Sequence, residues 1–117
     1  MPNTASGKIG ERFTAEYLRE KGYEIVEMNF KCRFGEIDVI AKNERYLAFV
    51  EVKTRKADSL THPFESITPS KRAKVIKTAQ FYLMKYPTQL QPRFDAAAVF
   101  TQEGDLQKIE YIENAFY

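Results

Sequence analysis

At 117 residues the chain has material for one hydrophobic core and too little for two. Its 44% hydrophobic and 29% charged content excludes a disordered or fibrous polymer, and no apolar run approaches the roughly 20 residues of a membrane span. A single cysteine, Cys32, excludes an intrachain disulfide and a thiolate zinc site, and a net charge of +2 is too small by itself to name a polyanionic partner.

The segment from about Thr4 to Lys21 reads as a helix, with Asn3 or Thr4 as its N-cap and Gly22 as its stop. Tyr23 to Lys31 is rich in strand formers, and Phe34 to Ala41 follows with alternating apolar positions. The polar turn Lys42-Asn43-Glu44-Arg45 leads into Tyr46-Leu47-Ala48-Phe49-Val50, which is apolar on both faces and therefore predicts a strand covered on both sides. Residues 56–68 read as a loop containing His62 and Pro63. A second helix is expected from about Ser70 to Lys85, with Val75, Ile76, Ala79, Tyr82 and Leu83 in one arc and Lys71, Lys74, Lys77 and Lys85 in the other. Arg72 breaks that pattern. Phe94 to Phe100 predicts a further buried strand, and Gly104-Asp105 turns into a last one near Leu106–Ile112. The expected fold is one α/β domain over residues 1–117, a mixed five-stranded sheet flanked by helices in the order α-β-β-β-α-β-β.

The chemically informative strings are Gly35-Glu36-Ile37-Asp38 and Glu51-Val52-Lys53. Side chains two apart on a strand share a face, so Glu51 and Lys53 project together. Asp38 lies 13 positions before Glu51, a separation that suits adjacent strands. Two carboxylates 4 Å apart repel by roughly 4 kcal/mol at an effective dielectric near 20. A hard divalent cation, Mg²⁺ or Mn²⁺, relieves that repulsion and leaves the lysine to meet an anionic substrate. The bland alternative, surface acids paired with Lys53 and Arg55, fits poorly beside a doubly apolar strand, where unpaired charge is costly.

Around this set the spacing decides less. Glu11 borders the Gly10/Thr14/Leu18 side of the first helix and would overhang the sheet, but the competing stripe Ile9/Phe13/Tyr17 would turn it away, with Glu16 as the neighbouring acid. Glu36 reads as a strand-end acid paired with Lys31 or Arg33, His62 as an incidental loop residue, and Cys32 as an inert strand residue. Residues 53–77 carry seven basic side chains against two acidic ones. Within that block Arg55, Lys56, Lys71, Arg72 and Lys74 are the candidate phosphate contacts, although a solvated helix face accounts for such charge equally well.

Gly10-Glu11, Tyr17-Leu18, Lys21-Gly22-Tyr23, Asn29, Gly35-Glu36-Ile37-Asp38, the run from Phe49 to Arg55, Lys71-Arg72, Arg93-Phe94-Asp95 and Asn114-Ala115-Phe116, in this order, resemble the bacterial YraN-like family of predicted nucleases. The resemblance covers essentially the whole chain. It implies the PD-(D/E)xK restriction-endonuclease-like fold, in a layout similar to archaeal Holliday-junction resolvases. It also implies a catalytic set of Glu11, Asp38, Glu51 and Lys53, and so selects Glu11 from the open helix phase. On that footing Asp38, Glu51 and the Val52 carbonyl are the expected metal ligands. DNA is the expected partner, with no membrane contact, a homodimer is the arrangement the resolvase likeness suggests, and the absence of a signal-peptide pattern points to the cytoplasm. A non-cleaving nucleic-acid-binding module of the same fold, dependent on a partner, is the alternative.

Overall fold

A computed structural model of the chain describes residues 2–58, 64 and 67–115, with side chains from residue 8 onward. His62 and Phe116, and most of the loop before the second helix, lie outside the described residues. Helix α1 (Pro2–Glu20) begins two residues ahead of expectation, because proline's fixed φ suits a helix's first position; Asn3 and Thr4 sit inside the helix instead of capping it. It ends in a Schellman motif, with Tyr23 N donating to Leu18 O at 2.9 Å, Gly22 N to Arg19 O at 3.1 Å, and Gly22 at φ 92°.

Strands β1 (Glu24–Cys32), β2 (Gly35–Lys42) and β3 (Tyr46–Lys56) form an antiparallel meander. Helix α2 (Pro69–Lys85), N-capped by Thr68, then carries the chain over to β4 (Gln91–Gln102), parallel to β3, and β5 (Asp105–Ile112) closes antiparallel. The result is the expected α/β architecture, a mixed sheet in spatial order β1-β2-β3-β4-β5 between two helices. β4 begins three residues earlier than the sequence pattern suggests and includes Pro92. That is allowed because β5 first pairs at Ala96, so Pro92 needs a partner on the β3 side only.

The doubly apolar β3 serves both layers. Leu47 and Phe49 pack toward α2 with Ile40, Phe94, Tyr82, Val75 and Ala79, while Ala48, Val50 and Val52 pack toward α1 with Leu18, Val39 and Val99. Each such large side chain buried contributes about 1.5–3 kcal/mol. In α2 the expected apolar arc faces the sheet, and Thr78 is buried with it. Its hydroxyl is satisfied locally by donating to Lys74 O at 2.8 Å. Arg72, which broke the arc, is exposed in the helix's first turn. No helix among the described residues is long and apolar enough to cross a membrane.

Candidate active site

The site begins where the β2–β3 ladder stops. Pairing runs from Lys42↔Leu47 to Val39↔Val50 and would next set Asp38 opposite Glu51 and then Ile37 opposite Val52, yet neither pair forms while β2 stays joined to β1 as far as Gly35. β2 therefore peels away from β3 and opens a cleft. Asp38 fills the vacated ladder position: its Oδ2 accepts the Val52 N–H at 2.8 Å. In a strand the N–H and C=O of one residue face the same edge, so the Val52 carbonyl is directed into the cleft as well.

Glu51 and Lys53 share the face of Phe49 and so project to the α2 side of the sheet, and Asp38 meets Glu51 across the gap where β2 leaves β3. Glu51 Oε1 lies 3.6 Å from Lys53 Nζ, both side chains being largely covered. Burial raises the Asp38 pKa to about 8, with the charges of Glu51, Glu11 and Glu36 acting in the same direction and the Val52 hydrogen bond opposing. Burial also raises the pKa of Glu51, against the lowering influence of Lys53 and of a hydrogen bond with Asp38. Two half-buried carboxyls within hydrogen-bonding reach of each other, with one ammonium between them and solvent, form a site with surplus negative charge.

Glu11 reaches this region from α1. Gly10, Thr14, Ala15 and Leu18 form the buried side of the helix and Glu11 borders it. Gly10 makes this possible: a Cβ there would overlap Thr54 Oγ1 on β3. Asn29 Nδ2 donates to Glu11 Oε1 at 2.9 Å. Asn29 adopts φ 54° within β1, next to Asp38 across the ladder, a backbone conformation that asparagine tolerates better than most residues. Among the described residues no three His, Cys, Asp or Glu side chains converge as a ready-made metal cage. The site instead offers two carboxylates and a carbonyl, with Glu11 felt through its charge. Such a set suits Mg²⁺, which commonly takes one or two carboxylates and completes its shell with water and substrate oxygens.

Glu36 is exposed and lies 3.9 Å from Lys31, as a strand-end acid should, and Glu16 faces solvent. Lys74 packs its Cβ and carbonyl near Gly35, which places the second turn of α2 over the start of the Asp38 strand. Lys71 and Arg72 are exposed one turn earlier, and Lys56 is exposed at the far end of β3. Arg55 is half-buried, with Nη1 donating to Thr54 O at 2.9 Å. Cys32 ends β1 and its sulfur accepts the Phe34 N–H at 3.4 Å.

Two features escaped the sequence reading. Asn29 is one; its presence in the family pattern was the available signal. The other is a buried network behind β4. Arg93 and Asp95, both nearly inaccessible, are joined by a forked ion pair, Nε to Oδ1 at 2.9 Å and Nη2 to Oδ2 at 2.8 Å. Tyr23 Oη accepts from Arg93 at 2.6 Å, while Tyr111 Oη and Asn114 N donate to Asp95 at 2.6 and 3.1 Å. Burial works against the Arg93 charge, but the Asp95 and Tyr23 hydrogen bonds outweigh it and raise the pKa. Burial and the Asp95 charge both raise that of Tyr111. The Arg-Phe-Asp and Asn-Ala strings are thus architectural: they tie the α1–β1 turn, β4 and the segment after β5 together.

A parallel β3–β4 pair at the centre of a mixed sheet, with an acid, an acid and a lysine in a cleft where the sheet splays, defines an α/β protein with a carboxylate-lysine site. The family model of the uncharacterised protein family UPF0102 matches residues 10–99, which span α1 from Gly10 and every strand through most of β4. Similar proteins include a UPF0102 protein of Caldanaerobacter subterraneus subsp. tengcongensis, 43% identical over 113 residues with 94% of this chain and 93% of the relative covered. Another, from Thermodesulfovibrio yellowstonii, is 40% identical over 117 residues with both chains covered completely. The chain belongs to the UPF0102 family.

Proposed function

We propose that the chain is a Mg²⁺- or Mn²⁺-dependent nuclease that hydrolyses phosphodiester bonds in DNA. The observation that carries this reading is the pairing of Asp38 and Glu51 in the splayed cleft with Lys53 beside them. Asp38, Glu51 and the Val52 carbonyl would hold the cation. When bound, it supplies Lewis-acid polarisation of the scissile phosphate and a more acidic water. Lys53 faces the phosphate and offsets the negative charge that accumulates on it in the transition state. Glu11, held by Asn29, adds a carboxylate acceptor for a water proton at the α1 side of the cleft. The exposed cations Lys56, Lys71 and Lys74, with Arg55 and Arg72, accompany the phosphate backbone.

The likeness to Holliday-junction resolvases extends this proposal to branched DNA, where a homodimer would present two clefts to the two strands to be cut. The test is cleavage of labelled duplex, single-stranded, flap and four-way-junction DNAs with Mg²⁺ or Mn²⁺, with Asp38→Ala alongside the native protein. Cutting that disappears in the variant supports the nuclease, and cutting that survives refutes the assignment. The alternative is a module of the same fold that binds DNA without cutting it. Salt-dependent binding in EDTA with no cleavage of any substrate would establish that instead.

A further inference from the structure

A second concavity lies on the same side of the sheet, beyond the β1–β2 turn. Arg33, Phe34, Lys77, Gln80, Phe81 and Met84 line an open hollow of about 360 Å³ between that turn and the outer flank of α2. The Phe34 and Phe81 rings meet edge to face at 6.2 Å, and the Arg33 guanidinium lies 4.9 Å over Phe34. Met84 is 75% exposed beside them. The floor is carbon, Arg33 and Lys77 supply two cations, and the lining contains no carboxylate. Gln80 offers an amide that both donates and accepts.

This combination selects its occupant by charge and shape. A flat apolar ring with polar edges, carried on an anionic backbone, is a nucleobase in a strand of nucleic acid. Aromatic faces and arginine planes stack on bases of any identity because every base has a π-face. The hollow also lies within a short stretch of strand from the cleft. Phe34 precedes Asp38 by four residues, about 13 Å along the strand, and Lys74 lies over Gly35 between them. That distance matches about four stacked base steps, fewer in an unstacked strand.

We propose that this hollow holds one unpaired nucleobase of the DNA strand whose phosphate occupies the Asp38–Glu51 cleft. The inference rests on the nuclease reading and narrows its substrate to DNA with unpaired nucleotides within a few steps of the scissile bond. A base inside a duplex has both faces stacked and cannot lie on Phe34 or Phe81. The phosphates are contacted without sequence readout, while the pairing state of a nearby base is sensed.

The test uses the full-length chain in EDTA and compares an oligothymidine with an abasic strand of equal length. Base stacking of this kind changes affinity by roughly 5- to 140-fold per base, so the native chain should prefer oligothymidine by at least fivefold in fluorescence anisotropy. Because the chain has no tryptophan, Phe34→Trp introduces a single reporter. Its emission should be quenched by oligothymidine and not by the abasic strand. Met84→Glu, at an exposed position that folding does not need, should erase the preference, and Phe34→Ala should erase it while leaving abasic binding intact. Equal affinity for the two strands, or a reporter blind to bound oligothymidine, overturns the proposal. So does self-association that Met84→Glu abolishes without any base preference, which would assign the hollow to a second copy of the chain. Duplex cleavage with equal affinities removes the hollow and keeps the nuclease; base preference without cleavage of any DNA does the reverse.

Discussion

Replacing Asp38 by asparagine should stabilise the metal-free protein at neutral and alkaline pH while abolishing its response to Mg²⁺. The asparagine side-chain oxygen can still accept the Val52 N–H, so the substitution removes the charge and keeps the strand junction. Folding raises the Asp38 pKa from 3.8 to about 8. A group raised on folding contributes stability that is fully present below its unfolded pKa and lost as pH rises through its folded pKa. The native protein without metal should therefore lose stability between about pH 4 and pH 8, and Asp38→Asn should lose less, because Glu51 alone keeps a raised pKa. A rise from 3.8 to about 8 corresponds to about 5 kcal/mol, an upper bound because Glu51 shares the titration. A net gain of about 2 kcal/mol for the variant at pH 8 is the working expectation, or about 5–10 °C in Tm for a domain of this size. The assay is thermal unfolding from pH 4 to 9 in EDTA and in Mg²⁺. Native protein and variant should coincide near pH 4, diverge toward pH 8 in EDTA, and converge again when Mg²⁺ stabilises the native chain alone. A variant no more stable than the native protein at pH 8 in EDTA would refute the claim that the cleft holds uncompensated carboxylate charge.

Four further substitutions separate function from architecture. Asn29→Gly keeps the φ 54° backbone accessible but removes the amide that holds Glu11; metal affinity or turnover should fall about 10–100-fold, the usual loss for a ligand-orienting partner, with Tm nearly unchanged. Asp95→Ala leaves the buried Arg93 guanidinium with only the exposed Glu113, 3.6 Å away, as an ionic partner and should cost about 3–5 kcal/mol in urea unfolding, whereas a loss below 1 kcal/mol would mean that the network is dispensable. Gly10→Ala drives a methyl against Thr54 Oγ1 and should destabilise by about 1–3 kcal/mol. Thr54→Ala in the same chain should recover most of that loss, and its own cost is small because the Thr54 hydroxyl is buried without a hydrogen-bond partner.

The parts of the fold legible in sequence are those governed by local periodicity. Alternation along β3 put Glu51 and Lys53 on one face without knowledge of any neighbour, and the apolar arc of α2 followed from spacing alone. The helix phase around Glu11 was not legible, because Ile9/Phe13/Tyr17 is also partly covered beside the buried Gly10/Thr14/Leu18 stripe, and it takes the close approach at Thr54 to set the phase. Asn29 in a left-handed conformation inside a strand runs against strand propensity. It makes sense only once Glu11 and Asp38 flank it in space.

The Arg93–Asp95 network shows why the family pattern contains more than the cleft. Asp95 and Glu51 lie on adjacent parallel strands at neighbouring register positions, with Val50 opposite Asp95 and Glu51 opposite Ala96. Asp95 is fully buried and saturated by Arg93, Tyr111 and Asn114, so its charge is balanced within the fold. Glu51 and Asp38 are left with one lysine and a hydrogen-bonded edge. Acids at neighbouring register positions of one sheet thus differ in the quantity that matters for chemistry, the number of permanent partners. The acid that the protein neutralises itself holds the fold together, and the pair that it leaves short of positive charge is the one that, in the proposed nuclease, would recruit a cation and a phosphate.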